Sequence, residues 1–337
     1  MVASRILLEL AHDGALDSAI VIGYVTVAEE DNDGGGPLYV MRHVLPGAPP
    51  ERVPDVVILT DSTGDAHEGA LGIYRGQRGR MQIEMEITGR SCHGSMPWEG
   101  LNPLEHGGAI VAEAALRYDR GEGFSTHPFL GHGTRTASFA TLDTPSDCAV
   151  PERFTVRFDR RLTVGETPER ALADLEALDS VRSARAAGLG VRISVPRYQQ
   201  PTWTGHRPGN PQVYLGWVTP EVHPAIRAAL ASYARVITPR IDGSHRSGGG
   251  LRREPRVGRW IFSTDGVGFP VPAGANGIAV SARKGWVTSG AFEHPAMLGF
   301  GTGIEQNTHK IGECLDAREL QHAIAFLARF PGVFAAR

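Results

Sequence analysis

Apolar residues recur at helical spacing at Ile6, Leu7, Leu10 and Ala11, which predicts a short opening helix over about residues 3 to 12. The next run, Ala19-Ile-Val-Ile-Gly-Tyr-Val-Thr-Val-Ala28, is rich in Val and Ile and too short for most helices, so it reads as a buried strand. Val56-Val-Ile-Leu59 predicts a second one. From Gly76 the texture changes: Arg80 to Thr88 alternates strictly between apolar and polar, the pattern of an antiparallel strand with one wet face. A helix from about Leu104 to Tyr118 follows, then strands near Thr136 to Thr141 and Phe154 to Arg160. Thr167 as N-cap with Pro168 at the first helical position opens another helix, and a strand near Val191 to Val195 closes this part. Pro- and Gly-rich stretches, 201–211 and 248–250, lead back to the helix Pro224 to Val236, the strand Trp260-Ile-Phe262 and a final helix from Asp316 to Phe330. The expected fold is an α/β layer interrupted by a small α+β sandwich, with residues 1–75 and 197–337 forming the layer and 76–196 inserted into it.

Composition narrows the function. With 337 residues, 41% hydrophobic and 21% charged, the chain is long enough for two globular domains. A net charge of −3 gives no electrostatic case for nucleic acid or an anionic membrane, which leaves a small molecule as partner. Cys92, Cys148 and Cys314 are odd in number and far apart, fitting a reducing cytoplasm better than a disulfide framework. No signal-peptide pattern and no run of membrane-spanning length occurs, so the expected location is cytoplasmic.

The chemistry concentrates at four places. Glu29 and Glu30 end the predicted first strand, and two carboxylates at one strand tip repel each other unless a cation or a proton intervenes. A solvated acidic turn is the alternative. Asp61, in Thr60-Asp-Ser-Thr63, again sets an acid just past a strand. His93 sits in the Gly- and Pro-punctuated loop Gly89-Arg-Ser-Cys-His-Gly-Ser-Met-Pro97, a rigid setting that suits presentation to a ligand. His309 follows the glycine-rich Gly299-Phe-Gly-Thr-Gly303; no Lys-Ser/Thr follows at phosphate-loop spacing, so a metal ligand is the better reading.

Taken in order, these segments resemble the motifs of the zinc-dependent metallohydrolase family of acetylornithine deacetylase, succinyl-diaminopimelate desuccinylase, aminoacylase and related carboxypeptidases. Glu29-Glu-Asp-Asn-Asp-Gly34, Tyr74-Arg-Gly-Gln-Arg-Gly-Arg80 and Trp98-Glu-Gly100 are most similar to its selenium-metabolism-linked hydrolase subgroup. The resemblance implies a zinc-peptidase-like catalytic domain with an inserted ferredoxin-like dimerisation domain. It implies Glu29 as the general base acting on metal-bound water, Glu30, Asp61 and His309 as ligands of a two-zinc site, with cobalt or manganese as alternatives, and His93 as an oxyanion donor reaching across a homodimer. Arg161 matches a substrate-carboxylate position, Asp147 stands where the family has an Asn, and Ser263 and Thr264 lie in a substrate-side loop. The implied substrate is an N-acyl amino acid or short peptide. The family's His-x-Asp motif and its bridging aspartate would precede Met1; His12-Asp13, Asp65-Ala-His67 and His127 do not replace them. The expected metal site is therefore incomplete and the expected α/β sheet carries an unpaired edge. The alternative is a catalytically dead dimerising or ligand-binding homologue.

Overall fold

A computed structural model of the chain describes residues 6, 10, 12, 19–26, 29–241, 251–274 and 277–336. In chain order the principal strands are β1 (Val56–Leu59), β2 (Ile73–Gln77), β3 (Gly79–Thr88), β4 (Cys92–His93), β5 (Thr134–Asp143), β6 (Ala149–Val150), β7 (Arg153–Leu162), β8 (Gly190–Ser194), β9 (Val213–Tyr214), β10 (Trp217–Val218), β11 (Val257–Trp260) and β12 (Ala296–Gly299). The helices are α1 (Glu29–Asn32), α2 (Gly35–Tyr39), α3 (Pro103–Asp119), α4 (Pro168–Glu176), α5 (Asp179–Ala186), α6 (Pro224–Val236) and α7 (Ala317–Ala335). Two compact units result, one of residues 1–77 with 217–337 and one of 78–216.

The first unit is built on a mixed sheet in the order β1-β12-β2-β10, with β11 parallel to β2. Alternate residues face opposite sides, and both sides are buried, as near-continuous apolar strands require. Ile73 and Leu298 join the core under α6 and α7, with Tyr233 and Phe326, whereas Tyr74 and Met297 join Trp217, Trp260 and Met41 on the other side. Phe300 and Phe326 stack with ring centroids 3.7 Å apart.

The second unit is an antiparallel sheet in the order β8-β3-β7-β5, and β9 also pairs with β3. Met81, Ile83, Met85 and Ile87 point every second residue into a core shared with α3 to α5. Thr167 accepts a hydrogen bond from the Arg170 amide and so caps α4. β5 lies at the sheet edge, and its residues from Thr136 to Asp143 are exposed.

Three expectations need correction. Residues 19–26 form no strand, and Ile20, Ile22, Tyr24 and Val25 stay exposed. A strand exists only where a neighbour takes its backbone hydrogen bonds, and no described strand pairs with this run. Residues 27 and 28 of that run lie outside the described residues, as do most of 3–12, although Ile6, Leu10 and His12 are helical. Glu29 and Glu30 consequently begin a short helix rather than end a strand. The strand expected at Trp260 to Phe262 lies earlier, at Val257–Trp260, because pairing with β2 starts at Val257↔Ile73. One helix is not anticipated in the sequence: α5 follows α4 separately, its apolar face of Val181 and Ala184 being too short to stand out.

Candidate active site

In the first unit, one loop is joined to the segment that carries Glu29 and Glu30, and a second pair of segments brings His309 to Glu30. Gly34 follows Asp33, whose φ of 44° is left-handed, and it meets Gly268 backbone to backbone: a Cβ on Gly34 would lie 2.2 Å from the Gly268 nitrogen. Polar bonds reinforce this apposition. The Thr26 hydroxyl donates to Asp265 Oδ2 at 2.6 Å, and the Ser263 hydroxyl donates to Asp33 Oδ1 at 2.8 Å. The Thr264 hydroxyl, almost fully buried, donates to Gln77 Oε1 at 2.9 Å and accepts from the Gly266 amide. The hydroxyls of Ser263 and Thr264 are therefore engaged in holding this loop.

The second loop carries Asp61. The Thr63 hydroxyl bonds to the Gly301 carbonyl at 2.9 Å, and the Gly64 amide bonds to the Gly303 carbonyl at 3.0 Å, so the segments after β1 and β12 run together. They deliver Asp61 and His309. His309 has a left-handed φ of 59° and its amide is held by Glu313 at 3.0 Å. His309 Nε2 stands 3.8 Å from Glu30 Oε2, both side chains being largely exposed.

The electrostatics of this cluster are those of crowded acids. Glu29 is pushed from 4.5 up to about 8, first by burial and then by the charges of Glu30, Asp265, Asp61 and Asp33. Burial also raises Asp61, partly offset by the Ser62 amide at 2.6 Å, and it raises Asp265 against the Thr26 hydroxyl bond. Asp265 Oδ1 is buried without a hydrogen-bond partner. Reading the sequence as a substrate-side loop overlooked Asp265 as a member of this cluster. The available signal was its position in Ser-Thr-Asp-Gly just past a buried strand, the same setting as Asp61.

Donor type suits zinc here, but donor number does not. Among the described residues no three His, Cys, Asp or Glu side chains stand together in a way that could hold a metal ion, and zinc sites need at least three protein ligands. These residues do not make a metal site on their own.

In the second unit, His93 lies on β4, paired with Ala149 of β6, and is exposed. The Ser95 amide donates to His93 Nδ1 at 3.1 Å; since a backbone N–H can only donate, neutral His93 carries its proton on Nε2. Arg161 is held by Asp159 through two bonds, Nε to Oδ1 at 2.7 Å and Nη2 to Oδ2 at 3.1 Å. Asp147 sits exposed in the turn before β6.

No helix among the described residues is long and apolar enough to cross a membrane. Residues 75–182 match the peptidase dimerisation domain. The chain is 33% identical over 311 residues to the uncharacterized protein YgeY of Escherichia coli, an alignment covering 91% of this chain and 62% of the relative. The chain thus spans under two thirds of the length of the curated relatives it matches. Among solved structures, the fold resembles the di-peptidase Dug1p of Saccharomyces cerevisiae (TM-score 0.53, 11% identity, 92% of this chain and 64% of that one). It also resembles aminopeptidase PepT of Bacillus cereus (TM-score 0.52, 16% identity, 91% and 63%). Over residues 75–182 the chain thus carries a peptidase dimerisation domain, and its fold is similar to that of these two peptidases.

Proposed function

We propose that the protein hydrolyses an amide bond in an N-acyl amino acid or short peptide, with Glu29 as general base. The observation that carries this reading is the half-buried Glu29 carboxyl, set among Glu30, Asp265, Asp61 and Asp33 and pushed up to about 8. A base that takes a proton from attacking water works best when its pKa lies near the working pH. Glu30, Asp61 and His309 are the proposed contributors to a zinc site, with cobalt or manganese as alternatives, and further donors have to close it. The metal, when bound, supplies charge stabilisation. His93, with its proton on Nε2, is the proposed donor to the carbonyl oxygen as the acyl carbon becomes tetrahedral, and it acts from the partner subunit of a homodimer. Arg161 is the proposed anchor for a substrate carboxylate, beside Asp147, with Ser263 and Thr264 shaping the substrate-side loop.

The dimer is proposed to form along β5, whose outer edge is unpaired among the described strands and which exposes Phe139 and Leu142. Sedimentation of Phe139→Lys should then show monomer where the parent shows dimer. Activity is tested by incubating the chain with zinc and a panel of N-acetyl amino acids and dipeptides. Glu29→Gln should lower any turnover by about 10²- to 10⁴-fold, the usual worth of a general base; equal turnover in both proteins argues against the assignment. That no three metal donors stand together among the described residues favours a second reading, a non-catalytic dimerising or ligand-binding protein. Stoichiometric zinc that is lost in Glu30→Ala or His309→Ala would count against that reading.

A further inference from the structure

Beside the acidic cluster, the first unit holds a cleft of about 470 Å³, large enough for a ligand of amino-acid to dipeptide size. Val257, Ile261 and Phe262 give it an apolar lining, and Arg256 and Arg259 add positive charge. The acids that also line it are mostly committed elsewhere. Asp65 Oδ1 accepts from the amides of His67 and Glu68, each at 2.8 Å, and Oδ2 accepts from Gln306. Glu305 accepts the Tyr74 hydroxyl at 2.6 Å, and burial pushes its carboxyl towards the neutral form.

Arg256 is different. Its Nη2 is anchored to the Thr63 carbonyl at 3.3 Å and to the Tyr74 hydroxyl, and its guanidinium lies 4.8 Å from the Tyr74 ring centroid. Its Nε is buried and makes no hydrogen bond. The nearest carboxylate is Glu68 Oε2, at 3.5 Å, on a side chain that is 60% exposed. The result is a fixed, pre-oriented guanidinium with an unsatisfied buried donor, whose nearest carboxylate is exposed and replaceable.

The geometry points to this cleft as a binding site for the carboxylate of a small organic acid, in which the ligand displaces Glu68 and takes Arg256 as its anchor. With Nη2 held by Thr63 and Tyr74, the Nε hydrogen is the donor left for a carboxylate, backed by the guanidinium's charge, and the apolar lining accepts the ligand's carbon skeleton. The site needs no metal and no catalysis, so it stands or falls separately from the hydrolase reading.

The test is calorimetric titration of the full chain, in chelator, with glutarate and with its neutral diamide. Glutarate should bind and the diamide should not. Glu68→Gln removes the competing counter-ion without disturbing the core, and should tighten glutarate binding by about tenfold. Arg256→Lys keeps the charge but loses the Nε donor and the Nη2 anchoring, and should weaken binding by about tenfold or more. No glutarate binding, equal binding of the diamide, or unchanged affinity in both variants would overturn the assignment.

Discussion

Glu113 offers a sharp test of how the second unit is held together. It projects from α3 to the start of α5, where Leu178 provides no side-chain cap of its own. Its Oε1 accepts from the Asp179 amide at 3.0 Å, and Oε2 accepts from the Ser180 amide at 2.7 Å and the Ser180 hydroxyl at 2.5 Å. Arg117 stands 2.7 Å away, one turn along α3. Burial alone would raise its pKa, but the Ser180, Asp179 and Arg117 bonds outweigh it and bring the carboxyl from 4.5 down to about 2. A shift of that size corresponds to a ceiling of about 3 kcal/mol; the side chain keeps 21% exposure, and screening by solvent leaves about 2 kcal/mol. Loss of a cap plus a helix ion pair gives the same order. Because the folded pKa is depressed, this stability is fully present above pH 4.5 and is lost as pH falls towards 2. Urea denaturation of Glu113→Gln should therefore show a deficit of about 2 kcal/mol at neutral pH that shrinks steadily in acid, with faster hydrogen exchange at the Asp179 and Ser180 amides. A deficit that is absent at neutral pH, or the same at every pH, would refute the reasoning.

Two further substitutions probe buried charge. Glu166 pairs with Arg160 at 2.6 Å, both almost fully buried, and also accepts from the Thr163 and Ser125 amides. Glu166→Ala should cost about 3 to 5 kcal/mol in chemical denaturation, and a loss below about 1 kcal/mol would contradict the description of this pair as an uncompensated charge once broken. Glu29 has the opposite sign: its folded pKa is raised from 4.5 to about 8, so ionisation opposes folding increasingly between those values and not below them. In chelator, Glu29→Gln should match the parent at pH 4.5 and exceed it at pH 8 by about 1 to 2 kcal/mol, discounted for partial exposure; a pH-independent difference would show that the repulsion is not felt.

Much of this architecture is written in short-range pattern. The alternation of Met81, Ile83, Met85 and Ile87 announces β3, and Thr167-Pro168 announces α4, because period and capping are local properties. The helix Pro224–Val236 is readable for the same reason. The run 19–28 misleads because strand formation is not local: its composition is that of a buried strand, but no described strand supplies a neighbour. α5 is obscured by length, since an 8-residue helix with only Val181 and Ala184 buried leaves little periodicity. In the candidate site, Glu29, Glu30, Asp61 and His309 are visible as motifs. Asp265 is hidden because its membership in the acid cluster depends on a backbone contact between residues more than 200 positions apart. The Arg256 cleft is hidden for a similar reason, its anchor being oriented by Tyr74 and Thr63 from distant segments.

The apposition of Gly34 and Gly268 also limits how this sequence can drift. A Cβ at 34 would strike the backbone of 268 and a Cβ at 268 would come within 2.0 Å of the Gly34 carbonyl oxygen, so neither position can be relieved by a change at the other. Most contacts permit compensation, one side chain shrinking as its neighbour grows. This one does not. In a library of all single substitutions both positions should be empty apart from glycine, and the two loops they join should therefore have been inherited together, as one unit of variation rather than two.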